Sequence, residues 1–450
     1  MKSPIFICLA LFLLSSTLVM SEVDFEREVR PILINHCINC HGGIKAKAGL
    51  NFTNKATVFS RLDSGEIPVI ANHSDKSELI HRIVSTEESE QMPPDKSLNQ
   101  KEINTLKAWI SEGAKWPKHW SYSTLHGKTE MGATIDQIIA FKLKEIGLNQ
   151  NKIANKRTLI RRLSLDLIGL PPSKIEINNF LNNRSKHAYK ELVQRLMESK
   201  HFGERWGRHW LDSARYADSD GYEKDNTRPN AWIWRSWVIK SINNDMPFDQ
   251  FTAQQISGDL EKNTKPNQVL ATAFHRQTLY NREGGVDPEE DRTKRTIDRA
   301  NTTALVWLGL TLECAQCHDH PYDPLTQKEF YEFYSFFNNM TESEMDYKSE
   351  FSEKKTKVRV IREKKRETFI FRRGDFLQPV KDVKISQKVP NYLTQINSNK
   401  PSEWNRSDLG NWLVNAQNPL SARVFVNDVW TKLFGTSLVQ IKSDFGTRSK

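Results

Sequence analysis

The pentapeptide C-x-x-C-H occurs twice in this 450-residue chain, as Cys37-Ile38-Asn39-Cys40-His41 and as Cys314-Ala315-Gln316-Cys317-His318. Two thiols three positions apart on a turn reach the two vinyl groups of one porphyrin. The adjacent histidine then falls beneath the iron as proximal ligand. A disulfide and a zinc site are the competing readings of any such pair. Zinc is disfavoured at the first, because neighbouring Cys and His do not easily fill two corners of one tetrahedron and no second ligand pair follows at finger spacing. Cys37 and Cys40 are therefore read as thioether anchors of haem c, with His41 on the iron. At Cys314, Cys317 and His318 two readings stand: a second haem c, or a mononuclear metal site using His318, His320 and Asp323.

The fifth cysteine, Cys8, lies in an apolar run from Ile5 to Met20 that follows Lys2. That run is short for a spanning helix and reads as a signal peptide over residues 1–21. Nothing later approaches the ~18 uninterrupted apolar residues that a bilayer requires. The expected location is outside the cytoplasm, periplasmic or cell-surface. With 65 Lys and Arg against 55 Asp and Glu the formal charge is +10, which suits anionic partners but says nothing of fold. Twenty-two Phe, 12 Trp and 10 Tyr supply ample bulk for a core, which excludes a disordered chain.

A first domain is expected over residues 22–118. Phe25, Val29, Ile32 and Leu33 fall on one helical face running into Cys37, with Pro31 expected to bend that helix. Asn99 and Glu102 form a capping box ahead of Ile103, Leu106 and Ile110, and Gly113 stops the helix. Between the helices runs a polar loop ending in Met92-Pro93-Pro94. A thioether from Met92 opposite His41 would complete the iron and raise its potential relative to bis-histidine ligation. His36, His73 and His81 compete for that place and read as surface histidines. The segment resembles the small planctomycete-type cytochrome c domain, through Glu28-Val29-Arg30-Pro31-Ile32-Leu33, Cys37 to Gly42, Met92 to Pro94 and Trp109 to Pro117. The resemblance implies a class I cytochrome c fold ligating haem through Cys37, Cys40, His41 and Met92.

Helical spacing recurs over 135–146, 157–168, 187–197, 203–216, 231–242, 289–310 and 327–337. The fold class is thus mainly α: the cytochrome-like domain, then a larger helical domain over 131–345. This stretch resembles the uncharacterised domain that follows the cytochrome module in planctomycete-type multidomain proteins. The matching words are Arg161-Arg162, Asp166 to Pro172, Gly203 to Trp206, Trp210 to Asp212, Ala214 to Asp218, Asn281 with Glu283 to Gly285, and Cys314 to Pro324. The carboxylates Asp218, Asp220, Glu223 and Asp225, with Tyr216 and Tyr222, crowd one Gly-containing loop, compatible with a cation site or with acid–base work. The bland alternative is a solvated loop.

Residues 346–400 read as a charged insertion with short strands at Val358–Ile361 and Thr368–Phe371. From Leu409 the chain resembles the opening of a second uncharacterised domain, through Asn418-Pro419-Leu420, Ala422-Arg423-Val424, Asn427, Trp430, Phe434-Gly435 and Asp444-Phe445-Gly446; it is expected to be truncated at 450. The function expected is an exported haem c protein in electron transfer, serving an unidentified redox partner and binding no nucleic acid. The alternative is a metal-dependent or hydrolytic enzyme on an anionic polymer, with Asp218, Asp220 and Glu283 as its carboxylates.

Overall fold

The computed structural model describes residues 22–125, 134–350, 353–394 and 403–449. The apolar N-terminal run, and with it the signal-peptide expectation, lies outside them. About 49 % of the described residues are helical, and they hold two small two-stranded sheets. No helix among them is long and apolar enough to cross a membrane. The described residues form two compact units, one of residues 22–41 with 46–117, the other of Gly42–Lys45 with those from Lys118 onward.

In the first unit, Asp24 caps a π-turn over Phe25–Val29 by accepting from the amides of Glu26 and Arg27. The helix Arg30–His36 continues from it. Pro31 falls in that helix's first turn, where a missing N–H loses no partner, while the wide turn before it carries the chain past the ring. The helix Gln100–Ser111 begins with the Asn99–Glu102 capping box that the spacing predicts. The two helices meet through rings: Phe25 lies 5.5 Å from Trp109 and 4.6 Å from Trp116 between centroids. Trp109 is fully buried and donates its indole N–H to the Lys115 carbonyl at 2.9 Å. Removing a ring so buried costs about 3–5 kcal/mol.

The second unit is organised around the helix Gln327–Asn338, buried on every side from Glu329 onward. A helix covered on every side belongs at a centre. Phe330, Tyr331, Phe333, Tyr334, Phe336 and Phe337 supply its bulk. β1 (Met340–Tyr347) pairs antiparallel with β2 (Thr356–Glu363), Met340 opposite Glu363. β3 (Thr368–Phe371) pairs with β4 (Pro379–Ile385), with an irregularity between Thr368 and Ile370. A satellite core of Ile160, Phe180, Ala188, Leu192 and Leu196 joins three helices, Lys156–Leu167, Lys174–Asn182 and Ala188–Met197.

The C-terminal stretch packs on this unit through the Asp444-Phe445-Gly446 turn. The Phe445 amide donates to the Gly309 carbonyl at 2.9 Å. Gly309 has φ +61°, and a Cβ there would stand 2.6 Å from the Phe445 ring. Gly446 lies against Asp323, where a Cβ would come 2.4 Å from the carboxylate. Both positions need glycine for a close approach.

Candidate functional site

The first C-x-x-C-H stands where one helix ends and a short one begins. Cys37 caps Arg30–His36, donating its amide to Leu33. Ile38–His41 forms a single turn, in which the amides of Cys40 and His41 both point to the Cys37 carbonyl, at 3.2 and 2.9 Å. Both thiols and the imidazole therefore leave one rigid turn. Cys37 is buried and Cys40 half-buried. Burial pushes the Cys37 thiol up to about 12, so the group stands as the neutral thiol.

His41 carries the more telling detail. Its Nδ1 lies 3.1 Å from the Lys47 carbonyl oxygen. A carbonyl can only accept, so Nδ1 holds the proton and Nε2 keeps its lone pair for a metal. Burial lowers the His41 pKa, with the carbonyls of Lys47 and Leu50 opposing the shift. The Phe52 ring sits edge-on to the imidazole at 6.3 Å between centroids. The donor set and its orientation fit a covalently held haem.

Met92 is half-buried, and its amide donates to the Arg82 carbonyl at 3.0 Å, which anchors the polar loop to the end of the helix Glu78–Val84. Two of its histidine competitors are engaged elsewhere. His36 meets the Glu102 carboxylate at 3.1 Å. His81 donates to the Asp75 carbonyl at 2.6 Å. His73 is exposed.

The second motif begins in a short 3-10 turn, Glu313–Gln316, which leaves Cys314 and Cys317 exposed. His318 donates from Nδ1 to the Asp319 carbonyl at 2.7 Å, again leaving Nε2 free. Cys317 has a close neighbour in Gly374, where a Cβ would stand 2.7 Å from the sulfur.

The mononuclear site of His318, His320 and Asp323 does not form. His320 is buried, and its Nδ1 accepts the Asp323 amide at 2.9 Å, so its proton sits on Nε2 and is given to the Thr311 backbone. Asp323 accepts the Tyr122 hydroxyl at 2.8 Å and the Thr447 amide at 2.7 Å. These two side chains fasten the loop and the C-terminal stretch. Among the described residues no group of three His, Cys, Asp or Glu could hold a metal ion.

The acidic loop also resolves into structural pairs. Asp220 is 1 % exposed and sits between Arg228 at 2.8 Å and Arg282 at 2.5 Å. Burial would raise its pKa, but the two guanidiniums prevail and hold it below the ordinary carboxylate value. Asp218 accepts the Tyr216 hydroxyl and faces Arg235. Glu283 lies 3.7 Å from Lys224, and Asp225 accepts the Gly221 amide. Asp218 and Asp220 are thus held by separate partners, while Glu283 keeps one buried oxygen, Oε1, without a hydrogen bond.

A larger ionic cluster was not anticipated from the sequence. Glu342 on β1 receives Arg295 at 2.5 Å, Arg299 at 2.8 Å and Arg276 at 3.6 Å. Its signal was present in the helix Pro288–Thr303, where Arg292, Arg295 and Arg299 recur at helical spacing on an otherwise core-facing side.

Comparison with known families agrees in order along the chain. Residues 37–96 match the family described as Planctomycete cytochrome C. Residues 134–342 match that described as Protein of unknown function (DUF1549), and 405–450 that described as Protein of unknown function (DUF1553). No curated protein and no solved structure matches the chain.

Proposed function

We propose, for a chain that belongs to the planctomycete-type multidomain cytochrome c proteins, that it is an exported electron-transfer protein holding haem c in its N-terminal unit. Haem c, when bound, supplies one-electron iron chemistry. Cys37 and Cys40 would anchor it, His41 would present Nε2 to the iron, and Met92 would furnish the opposing thioether. The observation that carries this reading is the His41 Nδ1–H bond to the Lys47 carbonyl, which orients the imidazole on the same turn as both thiols. Lys2 and the apolar run Ile5 to Met20 support export, the compartment in which such attachment occurs.

A second haem at Cys314, Cys317 and His318 is favoured by one specific observation, the repeated Nδ1–H to carbonyl bond at His318. The Gly374 turn packs close to the Cys317 sulfur, leaving no room for a Cβ at that position.

The test is a haem count. The chain is produced in a periplasm with c-type maturation and measured by intact mass and pyridine haemochrome spectrum. One covalent haem lost in Cys37→Ala/Cys40→Ala supports the first site, and a second lost in Cys314→Ala/Cys317→Ala supports the other. A chain that matures without haem overturns the reading.

A further inference from the structure

The buried ionic cluster of the second unit opens onto a pocket of about 210 Å³. That is smaller than a drug-sized site and suits one compact chemical group. Arg228, Arg276, Arg282, Lys357 and Arg359 line it, against a single lining carboxylate, Glu344. Carboxylates balance these cations only in part: Lys357 meets Asp346 at 2.9 Å and Arg359 meets Glu344 at 3.6 Å, while the other three share theirs. Asp220 is shared by Arg228 and Arg282. Glu342 is shared by Arg276, Arg295 and Arg299, with Arg276 the most distant of the three.

Two side chains on the pocket wall are left incomplete. Arg276 is 7 % exposed, and its Nη1 is buried with no hydrogen-bond partner. Gln277 is 8 % exposed; its amide donates to the Ala273 carbonyl at 3.0 Å, while its Oε1 is buried with none. An orphan donor on a guanidinium and an orphan acceptor beside it are both costly to leave dry. Burial, with repulsion from Arg228 and Arg359, outweighs the attraction of Glu342 and pulls the Arg276 pKa below its usual value.

We infer that this pocket binds an oxyanion with a neighbouring hydroxyl, the chemistry of an acidic or sulfated sugar unit. Arg276 Nη1 donates to the oxyanion, and Gln277 Oε1 accepts from the hydroxyl. Arg228 and Arg282, which share a single carboxylate, supply the surrounding positive field. The site is independent of the haem reading, since it lies wholly in the second unit and uses none of the C-x-x-C-H residues.

Calorimetric titration of the full chain with glucuronate, glucose 6-sulfate and glucose tests this. Saturable binding of either anionic sugar, weakening as salt rises, is expected, with glucose inert. Which anionic sugar binds identifies the source of the oxyanion. Arg276→Gln should weaken binding at least about tenfold, the loss of one charge-assisted hydrogen bond. Gln277→Glu is the second variant. It places a carboxylate beside Arg276, so the fold is retained, as a melting curve would verify, while binding of the anion is abolished. Glucose binding as well as the anionic sugars, or neither anion binding at millimolar concentration, overturns the inference. So does binding that survives Gln277→Glu in the folded protein, which would leave only water completing the two orphan groups.

Discussion

Arg406 offers the sharpest test of how the second unit is held together. Its side chain is fully buried, and all five of its N–H donors are used. Nη1 and Nη2 grip the Asp259 carboxylate at 2.9 and 2.7 Å. Nη2 and Nε reach Glu363 at 2.8 and 3.1 Å, and Nη1 also donates to the Ile256 carbonyl at 3.1 Å. One residue at the start of the helix Arg406–Leu413 thus ties the end of the helix Phe248–Ser257 to β2. Arg406→Met keeps the volume but strands Asp259, whose side chain is only 1 % exposed. Breaking a buried pair this way costs about 3–5 kcal/mol. For a unit this large that is a fall in Tm on the order of 10 °C. Glu363, at 28 % side-chain exposure, contributes less because water can reach it. The assay is thermal and urea unfolding followed by circular dichroism. Arg406→Met/Asp259→Leu should recover much of the loss, because an apolar pair replaces a salt bridge at little cost whereas a lone charge does not. A single-variant loss below about 1 kcal/mol, or no recovery in the double variant, would refute this account.

Asp220→Asn should destabilise by about 3 kcal/mol, since Arg228 and Arg282 then share a neutral amide; unchanged stability with altered turnover would restore the carboxylate to a catalytic part. His275 is buried with both ring nitrogens unpartnered. Burial first, then the charges of Arg299 and Arg406, hold its pKa well below the ordinary 6.5. The folded protein keeps the ring neutral and the unfolded chain protonates it, so this contribution is whole above pH 6.5 and is lost as pH falls beneath it. Melting curves from pH 8 to 5 should show that decline, and His275→Phe should flatten it; an identical slope in the variant would disprove the assignment.

Local signals carried much of the architecture. The predicted helices over 135–146, 157–168, 187–197 and 327–337 are found at Ile135–Glu145, Lys156–Leu167, Ala188–Met197 and Gln327–Asn338. Pro247 is the N-cap of Phe248–Ser257, a place where an absent N–H does no harm. The helix Lys174–Asn182 was missed although Ser173 and Glu176 form its capping box. β2 and β3 show apolar runs and were expected; β1 shows none. In β1, Met340, Glu342, Glu344 and Asp346 share one face, and Glu342 turns inward because three arginines await it. Those partners lie 43 to 66 positions away, beyond the reach of periodicity.

The same non-local pairing separates the histidines of the C-x-x-C-H segments from those around them. His41 and His318 each give Nδ1–H to a nearby backbone carbonyl, so the spacing and the local turn together present Nε2. His320, two positions on, does the reverse, because the Asp323 amide reaches its Nδ1 first. Asp323 is itself consumed by Tyr122 and Thr447, contributed from opposite ends of the unit. A carboxylate that a sequence offers as a ligand or a base is available only if the fold leaves it unpartnered. Asp220, Asp259, Asp323 and Glu342 are each saturated by groups distant along the chain. Among the buried polar groups without partners in this region, Arg276 Nη1 and Gln277 Oε1 stand on the wall of the arginine-lined pocket. An anion is therefore to be sought in the second unit where arginines share too few carboxylates, as Arg228 and Arg282 share Asp220 and as Arg276, Arg295 and Arg299 share Glu342.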